Sequence, residues 1–187
     1  MKISTSTLKP FALGQGNLES IQSRVSYVKP NQLRISYEAT GDIAQLRIPA
    51  RSSPRRSDRL WENTCFEAFL RVDGDSPYYE FNFSPSGEWA AYEFRGYRDG
   101  GPIANDDVAP AIVVRRSADR IELDAVVHLD RLPAIRLGSL LRIGLAAVLE
   151  DHDGRLSYWA LKHPAAKPDF HHPDSFALEL ASPSQSA

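Results

Sequence analysis

An all-β chain folded as an antiparallel β-sandwich is what this sequence predicts, and three observations predict it. Apolar and polar residues alternate with period two through the readable segments, Asp-Gly pairs punctuate those segments, and no helix-period stripe or internal repeat competes. Leu33, Ile35 and Tyr37 alternate with polar neighbours. After a Thr-Gly-Asp turn, Ile43, Ala44, Leu46 and Ile48 suggest a further strand. Arg51 to Arg59, with Ser, Pro and four arginines, reads as a polar loop. Phe66, Ala68 and Leu70 then alternate with Glu67 and Arg71, and Tyr79, Phe81 and Phe83 with Tyr78, Glu80 and Asn82. Ile121, Leu123, Ala125, Val127 and Leu129 form the longest clean alternation, so they should face one way and Glu122, Asp124 and His128 the other. Between Leu129 and Leu141, Asp130 is placed to cap a short helical turn. Leu141, Ile143, Leu145, Ala147 and Leu149 form the last long strand. The Asp-Gly pairs at 73–74, 99–100 and 153–154 supply the positive φ of tight reversals. Roughly eight to eleven strands are expected.

At 187 residues the chain is sized for one domain, and a chain of this length buries roughly 70% of its extended surface. The expected domain covers 1–187, with a core from about 30 to 181 and a frayed tail at 182–187. One cysteine, Cys65, leaves no intramolecular disulfide. The start of the chain lacks the apolar run of a signal peptide, and no stretch approaches about 18 uninterrupted apolar residues, so a cytoplasmic protein without a membrane partner is expected. The net charge of -2 is scattered, which argues against nucleic acid as a partner.

Leu60 to Arg98 is the most informative stretch. It carries Trp61 and Trp89, many tyrosines and phenylalanines, and Glu62, Glu67, Glu80, Glu88 and Glu93 interleaved among them. An aromatic β-face set with acids and arginines suits a ring-shaped polyol. Trp89, alternating with Ala91, reads as core. His163, His171 and His172 with Asp169 and Asp174 match no metal-ligand spacing, and their His-Pro pairs indicate extended backbone. Glu150, Asp151 and Asp153 are a candidate calcium loop, read more simply as a hairpin turn. No nucleophile and base, and no split carboxylate pair, is legible as an enzyme's machinery.

The runs LWENTCFEAFL, YYEFNFSPSG and RIELDAVV, then Trp159 followed by PDFHHPDSFALEL, resemble the DOMON-like domains related to family 9 carbohydrate-binding modules, in order and spacing over about 150 residues. The resemblance implies a jelly-roll-like sandwich and a module that holds a small polar ligand without transforming it. In the sugar-binding modules two tryptophans from separate strands clamp a terminal sugar while a glutamate and arginines bond its hydroxyls. The resemblance places Trp61 and Trp159 as the clamp, Glu67 as the acid, and Arg95 or Arg98 at the wall. No cofactor is expected. The Met/His haem ligation of cytochrome-type DOMON domains has no source here, because the only methionine is Met1. The rival expectation is a protein-interaction domain that uses an exposed aromatic face.

Overall fold

The computed structural model describes residues 3–12 and 18–182. Twelve strands build it: β1 (Ile3–Pro10), β2 (Leu18–Lys29), β3 (Gln32–Gly41), β4 (Cys65–Val72), β5 (Tyr78–Phe83), β6 (Trp89–Gly96), β7 (Asp99–Pro102), β8 (Ala111–Arg116), β9 (Arg120–His128), β10 (Leu141–Glu150), β11 (Leu156–Ala160) and β12 (Leu178–Leu180). They form two antiparallel layers. One runs β8-β9-β3-β2-β1, and the other runs β7-β6-β5-β4-β10-β11 with β12 also on β10. β1 belongs to both, since Ile3–Leu8 pair with β2 and Lys9 and Pro10 pair with β11. The sandwich is therefore stitched along one side by a continuous strand.

Alternation explains the layer contacts. Ile121, Leu123, Ala125, Val127 and Leu129 are buried, while Glu122, Asp124 and His128 lie on the outer surface. There Arg115 bridges Glu122 at 2.7 Å and Asp124 at 2.8 Å, so the acids left outside by the alternation are paired across the β8–β9 ladder. From the second layer Phe66, Ala68, Leu70, Tyr79, Phe81, Phe83, Trp89, Leu145 and Trp159 enter the same core. Tyr37 ties the layers together: its ring lies 5.0 Å from that of Phe66, and its hydroxyl donates a buried hydrogen bond of 2.7 Å to the Glu67 carbonyl.

Several local expectations are corrected. Ile43–Gln45 is a 3-10 turn, not a strand, and Leu46 makes a single bridge to Asp151. Ile43 and Leu46 are still buried, so their apolar character reflects core contact from a loop. The turn at Leu129–Arg131 is present, but His128 precedes it where Asp130 was expected, without a side-chain cap. Asp99-Gly100 begins β7 instead of making the reversal, which occurs at Arg98 with φ 55°. Gly100 is required for another reason, since a Cβ there would lie 2.0 Å from the Glu93 carbonyl oxygen. The core also starts earlier than residue 30, because Leu8, Ile21 and Val25 are buried. In β2 the inward set contains Ser23, whose hydroxyl donates to the Ser6 carbonyl at 3.2 Å, and this polar residue breaks the pattern. Residues 183–187 of the expected tail lie outside the described residues.

Removing the inter-layer bond by Tyr37→Phe leaves a buried carbonyl without that donor and should cost about 1–2 kcal/mol. Urea unfolding should show a lower midpoint at an unchanged slope; an unchanged midpoint would mean the bond contributes nothing net.

Candidate functional site

Once Phe66, Ala68 and Leu70 face the core, parity sends Cys65, Glu67 and Phe69 to the other face of β4. The same rule sends Tyr78, Glu80 and Asn82 outward on β5, and Tyr92 and Phe94 on β6. That face is not left to solvent. Cys65, Phe69, Tyr78, Tyr92, Phe94, Ala146 and Ala160 are buried in a second apolar cluster, together with Leu60 and Phe176. The cover is the segment from Pro168 to Ser175, which crosses the sheet. Asp169 anchors it, accepting from the Tyr97 hydroxyl at 2.7 Å and the Arg98 guanidinium at 3.0 Å, while the Ser175 hydroxyl donates to the Asp169 carbonyl at 3.0 Å. Gly144 lets the cover lie close, since a Cβ there would come within 3.3 Å of both the Phe69 side chain and the Ser175 carbonyl.

Beside this cover a cleft of about 590 Å³ remains open. Its floor is Glu67, Glu80 and Val148, and Tyr92, Phe94, Tyr158, Phe170 and His171 form its walls. Trp61 stands at the mouth on the 3-10 turn Leu60–Glu62, edge-on to Tyr92 at 5.6 Å and 38% exposed. Arg98 also lines the cleft. Arg59, at the start of the Trp61 turn, and Arg98 are the two non-glycine residues with positive φ among those described. The backbone thus holds a costly conformation at both turns that bring Trp61 and Arg98 to the cleft.

The floor is electrostatically unusual. Glu67 is 3% and Glu80 5% exposed. They are diagonal neighbours, since Glu67 is directly opposite Asn82 and Glu80 directly opposite Phe69. Burial, then repulsion from Glu80, pushes the Glu67 carboxyl well above the carboxylate range, against a downward pull from Arg98. Burial likewise raises Glu80 to about 7, opposed by the Asn82 amide, which donates to it at 2.7 Å, and by Arg98. Among the described residues no protein donor bonds the Glu67 carboxyl. Next to Glu80, His171 is packed between the edges of Phe69 and Phe94, and burial followed by the field of Arg98 lowers it to about 4. The Arg98 backbone N–H donates to the Tyr78 hydroxyl at 3.2 Å, and that hydroxyl lies 2.8 Å from His171 Nδ1. With the tyrosine donating to Nδ1, the imidazole proton belongs on Nε2, which is 3.5 Å from Glu80. Asp169 stays ionised: burial would raise it, but the bonds from Tyr97 and Arg98 outweigh burial and lower it. Cys65, on the same face of β4 as Glu67, is fully buried, and burial together with Glu67 and Glu80 pushes its thiol well up, away from nucleophilic use.

Of the residues singled out from sequence, Trp61, Glu67 and Arg98 meet in this cleft. Trp159 does not: it is 5% exposed and belongs to the inter-layer core, directly opposite the inward Ala147. Its neighbour Tyr158, opposite Val148, presents the ring to the cleft instead, a difference of one residue in strand parity. Arg95 points elsewhere as well, pairing with Asp99 at 2.8 Å on the surface. Glu80 could have been found by parity, because Tyr79, Phe81 and Phe83 facing inward put it beside Glu67. Phe170 and His171 could not, since nothing local in PDFHHPD says that the segment recrosses the sheet. At Glu150 to Arg155, Asp151 accepts from the backbone of Asp153 and Arg155, the pattern of a turn. No three His, Cys, Asp or Glu side chains group as metal ligands among the described residues.

The fold is similar to that of β-sandwich proteins of known structure. A candidate carbohydrate-binding protein from Bacteroides uniformis superposes with a TM-score of 0.67 at 16% identity, over 91% of this chain and 83% of that one. A family 9 carbohydrate-binding module from Caldicellulosiruptor kristjanssonii in complex with cellotriose gives 0.56 at 11% identity, over 93% and 76%. The same organism's family 9 module with glucose gives 0.53 at 12% identity, over 93% and 78%. No protein-family model matches the chain. No curated protein matches it either.

The buried ionisable groups make stability depend on pH in a defined direction. Glu80, raised from 4.5 to about 7, keeps a proton in the folded state that the unfolded chain releases, so its contribution is present at low pH and lost as pH rises through 7. His171, lowered from 6.5 to about 4, does the opposite between those values, and stability gained from it is complete above 6.5. The two oppose each other up to pH 6.5 and only the carboxyl contribution remains above it. Thermal midpoints should therefore fall from about pH 6.5 to about pH 8. Glu80→Gln should flatten that fall and exceed the parent protein at the upper end; parallel curves would contradict the assignment.

Proposed function

We propose that the cleft is a non-catalytic binding site for one sugar residue or sugar derivative. The observation that carries this reading is an accessible indole at the mouth of a cleft whose floor is two buried carboxyl groups. A pyranose has an apolar C–H face and a polar rim. Trp61 supplies a surface for the face, and Glu67, Glu80 and Arg98 supply acceptors and donors for the rim. Tyr158 and Phe170, across the cleft, take the place given to Trp159 by the resemblance. The fold supports the reading, since its structural neighbours include modules in complex with glucose and cellotriose. Kinship with DOMON domains belongs to the same proposal and rests on the sequence resemblance. A cytoplasmic location and the absence of a cofactor requirement are further parts of the proposal. That the ligand is held without turnover rests on the sequence resemblance to binding modules.

A thermal-shift screen of mono- and disaccharides tests this, because a ligand that binds only the folded state raises the midpoint by mass action. A hit should lose at least about tenfold in affinity on Trp61→Ala, the scale of one aromatic contact plus its excluded water. If no sugar raises the midpoint, and Trp61→Ala instead abolishes association with a protein, the interaction-domain reading replaces this one.

A further inference from the structure

The cleft holds more acidic side chains than basic ones. Among the described residues that line it, Arg98 is the only lysine or arginine, and its guanidinium is bound to Asp169, itself buried. Glu62 is matched by Arg59 at 2.9 Å. His171 touches Glu80 but is held neutral. Among the described residues Glu67 and Glu80 therefore lack a dedicated cation, and none donates a hydrogen bond to the Glu67 carboxyl although Glu67 is only 3% exposed and reaches the cleft. Above them stand the rings of Trp61, Tyr92 and Phe94.

From this arrangement we infer that the ligand carries a positive charge: the cleft selects an amino sugar with a free ammonium group, seated over Glu67 and Glu80 beneath the Trp61 ring. The inference rests on the sugar reading and narrows it. A neutral hydroxyl can bond these carboxyls in the protonated form that burial favours, but it offers nothing that stabilises their ionised form once the ligand has excluded water. An ammonium supplies three donors together with the opposite charge that draws a buried carboxyl into its ionised form, and the aromatic walls favour a cation over their faces. The same imbalance disfavours uronic acids and sugar phosphates, whose anionic groups would meet two acids and an arginine already engaged.

The experiment is a set of titrations at about pH 6.5, where an amine of ordinary basicity is protonated, using glucosamine, glucose, N-acetylglucosamine and cyclohexylamine. Glucosamine should bind at least about tenfold more tightly than glucose and N-acetylglucosamine, the scale of one charge-assisted contact. Glu67→Gln, with Glu80→Gln as a second variant should the first fold poorly, should bring the glucosamine-to-glucose preference below about threefold. Glucose binding as tightly as glucosamine would overturn amine selection and leave the sugar reading standing. Cyclohexylamine equalling glucosamine would keep amine selection and overturn the sugar reading. Binding of none of the four would overturn both.

Discussion

The constraint on which the rest of the structure depends is that β4 and β5 are buried on both faces. Phe66, Ala68 and Leu70 make the inter-layer core, and Cys65, Glu67 and Phe69 on the same strand lie beneath a second apolar cluster. A half-wet strand would leave its outward acids in water. Here the segment from Pro168 to Ser175, clamped by Asp169 to Tyr97 and Arg98, turns that outward face into a second interior. The raised carboxyls, the neutral imidazole and the cleft itself all follow from that covering.

This makes the site a compromise between stability and binding. Two carboxyl groups out of water in diagonal register cost free energy that a Leu or Val pair would not. The protein limits the cost by keeping the groups protonated over part of the physiological range and by bonding Glu80 to Asn82. Among the described residues none donates to the Glu67 carboxyl, which is the place the proposed ligand would fill. Positive φ at Arg59 and Arg98 is a second such cost, located on the two short turns that place Trp61 and Arg98 at the cleft.

Legibility from sequence tracked how local the determining interaction was. The sandwich was readable because alternation in β4, β5, β9 and β10 is set by each strand's own burial. Glu67 and Trp61 were readable by resemblance in order and spacing. Trp159 was misplaced because resemblance in spacing does not fix strand parity, and a shift of one residue exchanges Trp159 for Tyr158 between core and cleft. Ile43–Ile48 misled because buried loop residues imitate a short strand. The roles of Phe170, His171 and Asp169 depend on contacts about 70 to 100 residues away in sequence, such as the Arg98–Asp169 and Tyr78–His171 pairs, and no local pattern carries them.

The central claim is that the covered face of the second layer, and no other surface, is where a ligand is held. Amide chemical-shift mapping during titration with a bound sugar tests it directly. The account predicts shifts concentrated at Trp61, Glu67, Glu80, Arg98 and the segment 168–175, with β8 and β9 on the opposite layer unmoved. Shifts centred on β8 and β9, with the cleft residues silent, would contradict it.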